Sequence, residues 1–232
     1  MRPRIVGLFH GALYSEIGAP KRKSHVLREF KRATGRLAKL PRGTRVGVEI
    51  SPRELRLFTK RPRKAPFDAL VMTALLARKL GHKVVPLDSN AASLRHNLSL
   101  AEAADVRHAV LRQLTQPAQM EVISGVAFQR YMTAVRRDYL ISRLRSIAVG
   151  KRLLSERLPV AFLGETHLHD LKPLLKDTHY FHHTPEPVAR QLLANHERVV
   201  RRSWPALRAR LDAHTRKRLR PAVRAFRREE RK

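Results

Sequence analysis

The chain has 232 residues, 43% of them hydrophobic, enough to bury one sizeable α/β core with room for a helical extension. It contains no cysteine, which excludes disulfides, thiolate catalysis and Cys-based zinc sites, so any metal must be held by imidazole and oxygen ligands. Lys and Arg number 49 against 19 acidic residues, a formal balance of +30 that attracts polyanions without sequence specificity, while aromatics at 6% argue against a dedicated single-strand binder.

Taken in chain order, Arg4-Ile5-Val6-Gly7-Leu8-Phe9-His10 reads as a short buried strand. Its apolar stretch is too short for a secretory signal, and no run reaches the 18 or so apolar residues of a membrane span. The expected compartment is therefore the cytoplasm. Ser24 is placed to cap a helix through about Leu40, with Val26, Leu27, Phe30 and Leu37 on one side. Pro41-Arg42-Gly43-Thr44 forms a turn into a second strand, Arg45 to Ile50, which ends at Glu49. The basic stretch Arg53 to Lys64 reads as a solvated loop or edge element. Phe67 to Leu80 is helical, with Leu70, Val71, Ala74, Leu75 and Leu76 apolar and Gly81 as the stop. Lys83 to Asp88 is a third strand, again ending in a carboxylate, and Pro86 places it where a ladder bond is dispensable.

Helical periodicity then dominates from Leu98 to Leu114 and from Met120 to about Leu154, separated by Pro117. Leu158 to Gly164 is the fourth strand, followed by a short helix to Lys176 and by the polar segment His179-Tyr180-Phe181-His182-His183. Pro187 opens a basic helical region to Lys232, with breaks expected at Pro205 and Pro221. Strands alternating with helices imply an α/β fold with a mostly parallel central sheet flanked by helices. The organisation expected is a domain over 1–185 and a basic C-terminal helical extension over 186–232 packed on it.

In parallel sheets, ligands bind beyond the carboxyl ends of the strands. His10, Glu49, Asp88 and His167 each stand at such an end. Gly7-Leu-Phe-His10 and Gly164-Glu-Thr-His167 repeat one motif, too short to mean much alone but placed at two strand ends. Two imidazoles and one or two carboxylates suit Zn, Mn, Co or Fe, with water completing the coordination. The same groups also serve a metal-free general-base mechanism in which the carboxylate orients a His. The cluster His179-Tyr180-Phe181-His182-His183 and His169 are further imidazoles, read as a polar edge and a helix-start surface residue.

Together, Gly7-Leu-Phe-His10, Val48-Glu49, Leu87-Asp88, Arg137-Asp138-Tyr139-Leu140 and Gly164-Glu-Thr-His167 resemble, in order and placement, the TraB/Tiki superfamily over about residues 4 to 176, closest to its TraB-like branch. That superfamily also includes Tiki proteases, ChaN-like haem-binding lipoproteins and erythromycin esterases. The resemblance implies a metal-dependent hydrolase of a peptide or amide bond. It implies His10, Glu49 and His167 as ligands of a divalent Mn, Co or Zn ion or as acid-base residues, with Arg137 steadying the oxyanion. Around these, Asp138 is expected to hold the arginine or a helix contact, Asp88 is a candidate to support the ligands, and Glu165 is a further polar group beside them. The expected substrate is a peptide or a small amide or ester. Two other readings stand beside this one. One is a non-catalytic module that binds a peptide or metal ligand. The other is a basic protein whose tail contacts nucleic acid or anionic membrane and whose histidines are structural.

Overall fold

A computed structural model describes residues 4–8, 22–90, 125–171, 175, 179–181, 198 and 201–230. It contains five parallel strands: β1 (Arg4–Leu8), β2 (Arg45–Val48), β3 (Lys83–Pro86), β4 (Val160–Gly164) and β5 (His179–Phe181). They lie in the order β3-β2-β4-β1-β5, so the fold is α/β with an all-parallel sheet. The α-helices are α1 (Arg22–Leu37), α2 (Pro52–Lys60), α3 (Ala69–Lys79), α4 (Gly125–Ser155), α5 (Glu165–Leu171) and α6 (Pro205–Glu230). The expected helix over 98–114 lies outside the described residues, as do His182 and His183.

Alternation along the strands divides the apolar residues between two cores, as the period-2 geometry of strands requires. Val6, Leu8, Val46, Val48, Val160 and Phe162 join α1, α2 and α3 on one face. Ile5, Ala161 and Leu163 join α4, α5 and α6 on the other, where Leu153, Leu171 and Leu219 are fully or almost fully buried. Every residue of β4 is buried, as befits a strand covered on both faces. β3 is an edge strand, which explains why Pro86 is tolerated there without a ladder donor.

Helix α1 begins at Arg22, so Ser24 lies in its first turn instead of capping it, and Leu27 is exposed while Val26 and Leu37 are buried. Two further local expectations change. The basic stretch from Arg53 is mostly a helix, not a loop. Ser51 caps α2 by accepting from the Glu54 backbone N–H while the Glu54 carboxylate accepts from the Ser51 N–H, and Pro52 occupies the first turn. Leu55 and Phe58 then bury one side and leave the basic residues outside. The second change is in the tail. Pro205 starts α6, and the helix runs through Pro221 without ending. Proline costs one ladder bond, but the Pro221 ring is exposed, while Leu219, Ala222, Val223 and Phe226 hold the segment against the second core.

Parallel pairing of β1 with β4 sets Gly7 against Leu163 and Leu8 against Gly164. The two glycine motifs are therefore neighbours in space. A Cβ on Gly7 would overlap Glu165 Oε2 and Leu168 Cδ1, so the first motif's glycine makes room for the second motif's helix. In contrast, nothing lies within 4 Å of a Cβ added to Gly35 in α1. Gly7→Ala should destabilise the chain by about 3 kcal/mol through overpacking. Gly35→Ala should stabilise it by up to about 1 kcal/mol through helix propensity. Urea unfolding followed by circular dichroism checks both, and equal effects at the two positions would contradict the close approach at Gly7.

Candidate functional site

The carboxyl ends of β2, β3 and β4 converge on a buried polar cluster. Glu49 follows β2 directly, and its backbone N–H still bonds to the Phe162 carbonyl at 3.0 Å, so the sheet ladder fixes where its side chain starts. Both carboxylate oxygens are engaged. Oε2 accepts from the Gly164 backbone N–H at 2.6 Å, and Oε1 lies 2.9 Å from His167 Nε2 and 2.8 Å from the guanidinium of Arg145. Gly164 thus contributes a main-chain donor at the strand-to-helix junction, and His167 enters from the first turn of α5 with only 2% of its surface exposed.

Asp88, just past β3, completes the acidic half. Its Oδ2 accepts two bonds from Arg145, at 3.1 Å from Nε and 2.7 Å from the terminal nitrogen, and its Oδ1 accepts from the Ser89 N–H at 2.8 Å. One buried guanidinium therefore bridges the ends of β2 and β3. Burial alone would push the Arg145 pKa down, but Glu49 and Asp88 outweigh it and hold the group above its ordinary value.

On the other side of the imidazole, Ser146 Oγ is 2.7 Å from His167 Nδ1, 2.5 Å from Asp170 Oδ2 and 3.0 Å from the Ser142 carbonyl. Because the Glu49 carboxylate can only accept, the pattern assigns a proton to Nε2 and leaves Nδ1 facing the serine hydroxyl. Asp170 also pairs with Arg143 at 2.9 Å, and Arg143 reaches Asp212 of α6 at 2.6 Å while the Tyr139 hydroxyl accepts from it at 3.0 Å. Burial raises the Asp170 pKa, a shift only partly opposed by Arg143, Ser146 and His167. The polar chain thus runs from β3 to α6 through one histidine.

Of the residues expected at this edge, the structure brings Glu49, Asp88 and His167 together. His10 lies outside the described residues; Leu8, two positions before it, pairs with Gly164. The side chains of Asp138 and His169 are likewise outside the described ones. Glu165 is buried, and its carboxylate lies against Gly7. Arg137 is exposed on α4, whereas the guanidinium that grips Glu49 belongs to Arg145, about two turns further on and turned by roughly 80°. Ser146, Asp170 and Arg143 join the cluster without belonging to the expected set. Their signal is present in the sequence: Ser142, Arg143, Arg145 and Ser146 interrupt an otherwise apolar stretch of helix, and Asp170 follows His167 by three residues, on one helical face.

The donor chemistry of Glu49 and His167 suits a divalent ion, but the arrangement commits all four of their donor atoms. Arg145 already supplies a positive charge against Glu49. As arranged, the pair does not fit a metal, and one of these bonds must open to admit one. Among the described residues, no group of three His, Asp or Glu side chains is placed to hold an ion. No protein-family model, curated protein or solved structure matches the chain.

Removing Arg145 would leave two buried carboxylates uncompensated. Arg145→Met should cost about 3–5 kcal/mol, against about 1 kcal/mol or less for Arg137→Met, whose contacts are at the surface. Chemical denaturation of the two variants distinguishes these positions. The raised pKa of Asp170 favours its protonated form in the fold. Its contribution to stability is fully present below about pH 4 and is lost as pH rises through the higher folded-state value. Asp170→Asn should remove that loss, giving a flatter stability profile above about pH 4 than the parent chain in urea titrations at stepped pH.

Proposed function

We propose that this chain is a TraB/Tiki-like hydrolase of a peptide or amide bond, with His167 as its acid-base group. The carrying observation is the 2.9 Å bond between the Glu49 carboxylate and His167 Nε2 at the carboxyl edge of a parallel sheet. A buried carboxylate that fixes the tautomer and plane of an imidazole is the arrangement expected of a general base, because it stabilises the charged ring formed when a proton is taken up. Ser146 offers the opposite nitrogen a hydroxyl that also contacts Asp170. A proton enters or leaves the ring at Nδ1 only through the Ser146 hydroxyl, which passes its own proton to Nδ1 and can take one in return from Asp170.

Arg145 pairs with both Glu49 and Asp88 and holds them in place, which preserves the orientation of the imidazole on which proton transfer depends. The resemblance adds His10 to this site and implies a peptide, amide or ester carbonyl as the reacting group. It also implies a Mn, Co or Zn ion, which this pair of residues accepts only by rearranging.

Turnover of a peptide, amide and ester panel by the full chain tests the proposal. His167→Ala and Glu49→Gln should each lower kcat/KM by at least about 100-fold, the usual scale of acid-base catalysis, while far-ultraviolet circular dichroism stays unchanged. Hydrolysis that survives His167→Ala would remove the proposal. Metal analysis runs in parallel. Bound Mn, Co or Zn that is lost in both His10→Ala and His167→Ala would show that the cluster opens for a cation. Equal metal content in both variants and the parent chain would remove metal ligation by these histidines.

A further inference from the structure

We infer that the outer face of α6 is a docking surface for double-stranded nucleic acid, held through its phosphates and independent of the site beneath. Helix α6 is 26 residues long, about 39 Å, and its two sides differ sharply. Thr215 and Leu219 are buried, and Ala222, Val223 and Phe226 pack against the second core. At about 100° per residue, Arg210, Lys217, Arg224 and Arg228 fall within roughly 40° of one another on the opposite side, with Arg220 and Arg227 flanking them. All six are exposed. Between Asp212 and Glu229 the sequence contains no acidic residue, and Asp212 itself is committed to Arg143 and Arg208. The result is a cationic stripe about 27 Å long on one side of a continuous helix.

The chemistry of the stripe selects among polyanions. A helix that binds an anionic bilayer needs an apolar face to insert between headgroups. Here that face is spent on α4, and Leu219 is fully buried. The stripe carries no aromatic side chain, so it lacks the stacking platforms of a single-strand binder. What remains is a row of guanidinium and ammonium groups that neutralise a regular line of phosphates, the sequence-independent term of duplex binding.

The test is fluorescence anisotropy of the full chain with a labelled 20-base-pair DNA or RNA duplex across a salt series, using two fourfold variants. The first changes Arg210, Lys217, Arg224 and Arg228 to Gln. The second removes the same charge from exposed positions of α1 and α2, by Lys31→Gln, Arg53→Gln, Arg56→Gln and Lys60→Gln. The expected result is at least tenfold weaker duplex binding for the first variant. Its log–log salt slope should also be shallower by about 0.9 for each phosphate that is no longer neutralised, with little change for the second variant. Comparing DNA with RNA then assigns the source of the phosphates. Equal weakening in both variants would reduce the effect to net charge and overturn the inference. Unchanged affinity in the first variant would overturn it too, as would tighter binding to vesicles rich in phosphatidylserine than to either duplex.

Discussion

Arg145 is the group on which the polar architecture rests. Taking two carboxylates out of water costs several kcal/mol each, and Glu49 and Asp88 are both buried at adjacent strand ends. A single guanidinium answers both, with its planar fork spread between them. Because Arg145 sits on α4, this pairing also fixes the rotation and height of that helix against the sheet. The same setting delivers Ser146 to His167 and Arg143 to Asp170 and Asp212. One ion network thus ties β2, β3, α4, α5 and α6 together.

The glycines serve that network by letting helices approach closely. Gly7 admits the Glu165 carboxylate and Leu168, and Gly150 lets α4 approach α5 and α6, where a Cβ would stand 2.7 Å from Leu171 Cδ2. Gly164 acts through its backbone, giving its N–H to Glu49. The repeated Gly-x-x-His motif is therefore not one device used twice. The glycine of the first copy is steric, whereas the second lies at a junction where main chain and imidazole serve the same carboxylate.

Charge is partitioned between interior and surface. Glu29, Glu49, Asp88 and Glu165 are all buried in a chain with only 19 acidic residues. Carboxylates drawn inward to position arginines and histidine cannot offset cations outside, so the exterior is more basic than composition alone conveys. This connects the buried site to the surface of α6: Asp212, the acidic residue between Arg210 and Arg228, faces inward to Arg143. The same helix is held by its apolar side and presents its basic side.

The sequence by itself determined the alternation of strands and helices, the parallel sheet, and the convergence of Glu49, Asp88 and His167 at one edge. Each of these follows from local rules: apolar runs of strand length, turn residues at their ends, and the geometry that puts all carboxyl ends of a parallel sheet on one side. The capping box of α2 was equally local, but its basic composition obscured it. Which arginine meets Glu49 was not local. Arg137 and Arg145 lie on one helix, and only the packing of α4 on the second core decides which of them turns inward. Ser146 and Asp170 depend on the same packing, as does the continuation of α6 through Pro221, because long-range burial outweighs one missing hydrogen bond. Tertiary structure thus decided the partners of each charged group. Pairing energies are set by distance and burial in three dimensions, neither of which is written in residue spacing.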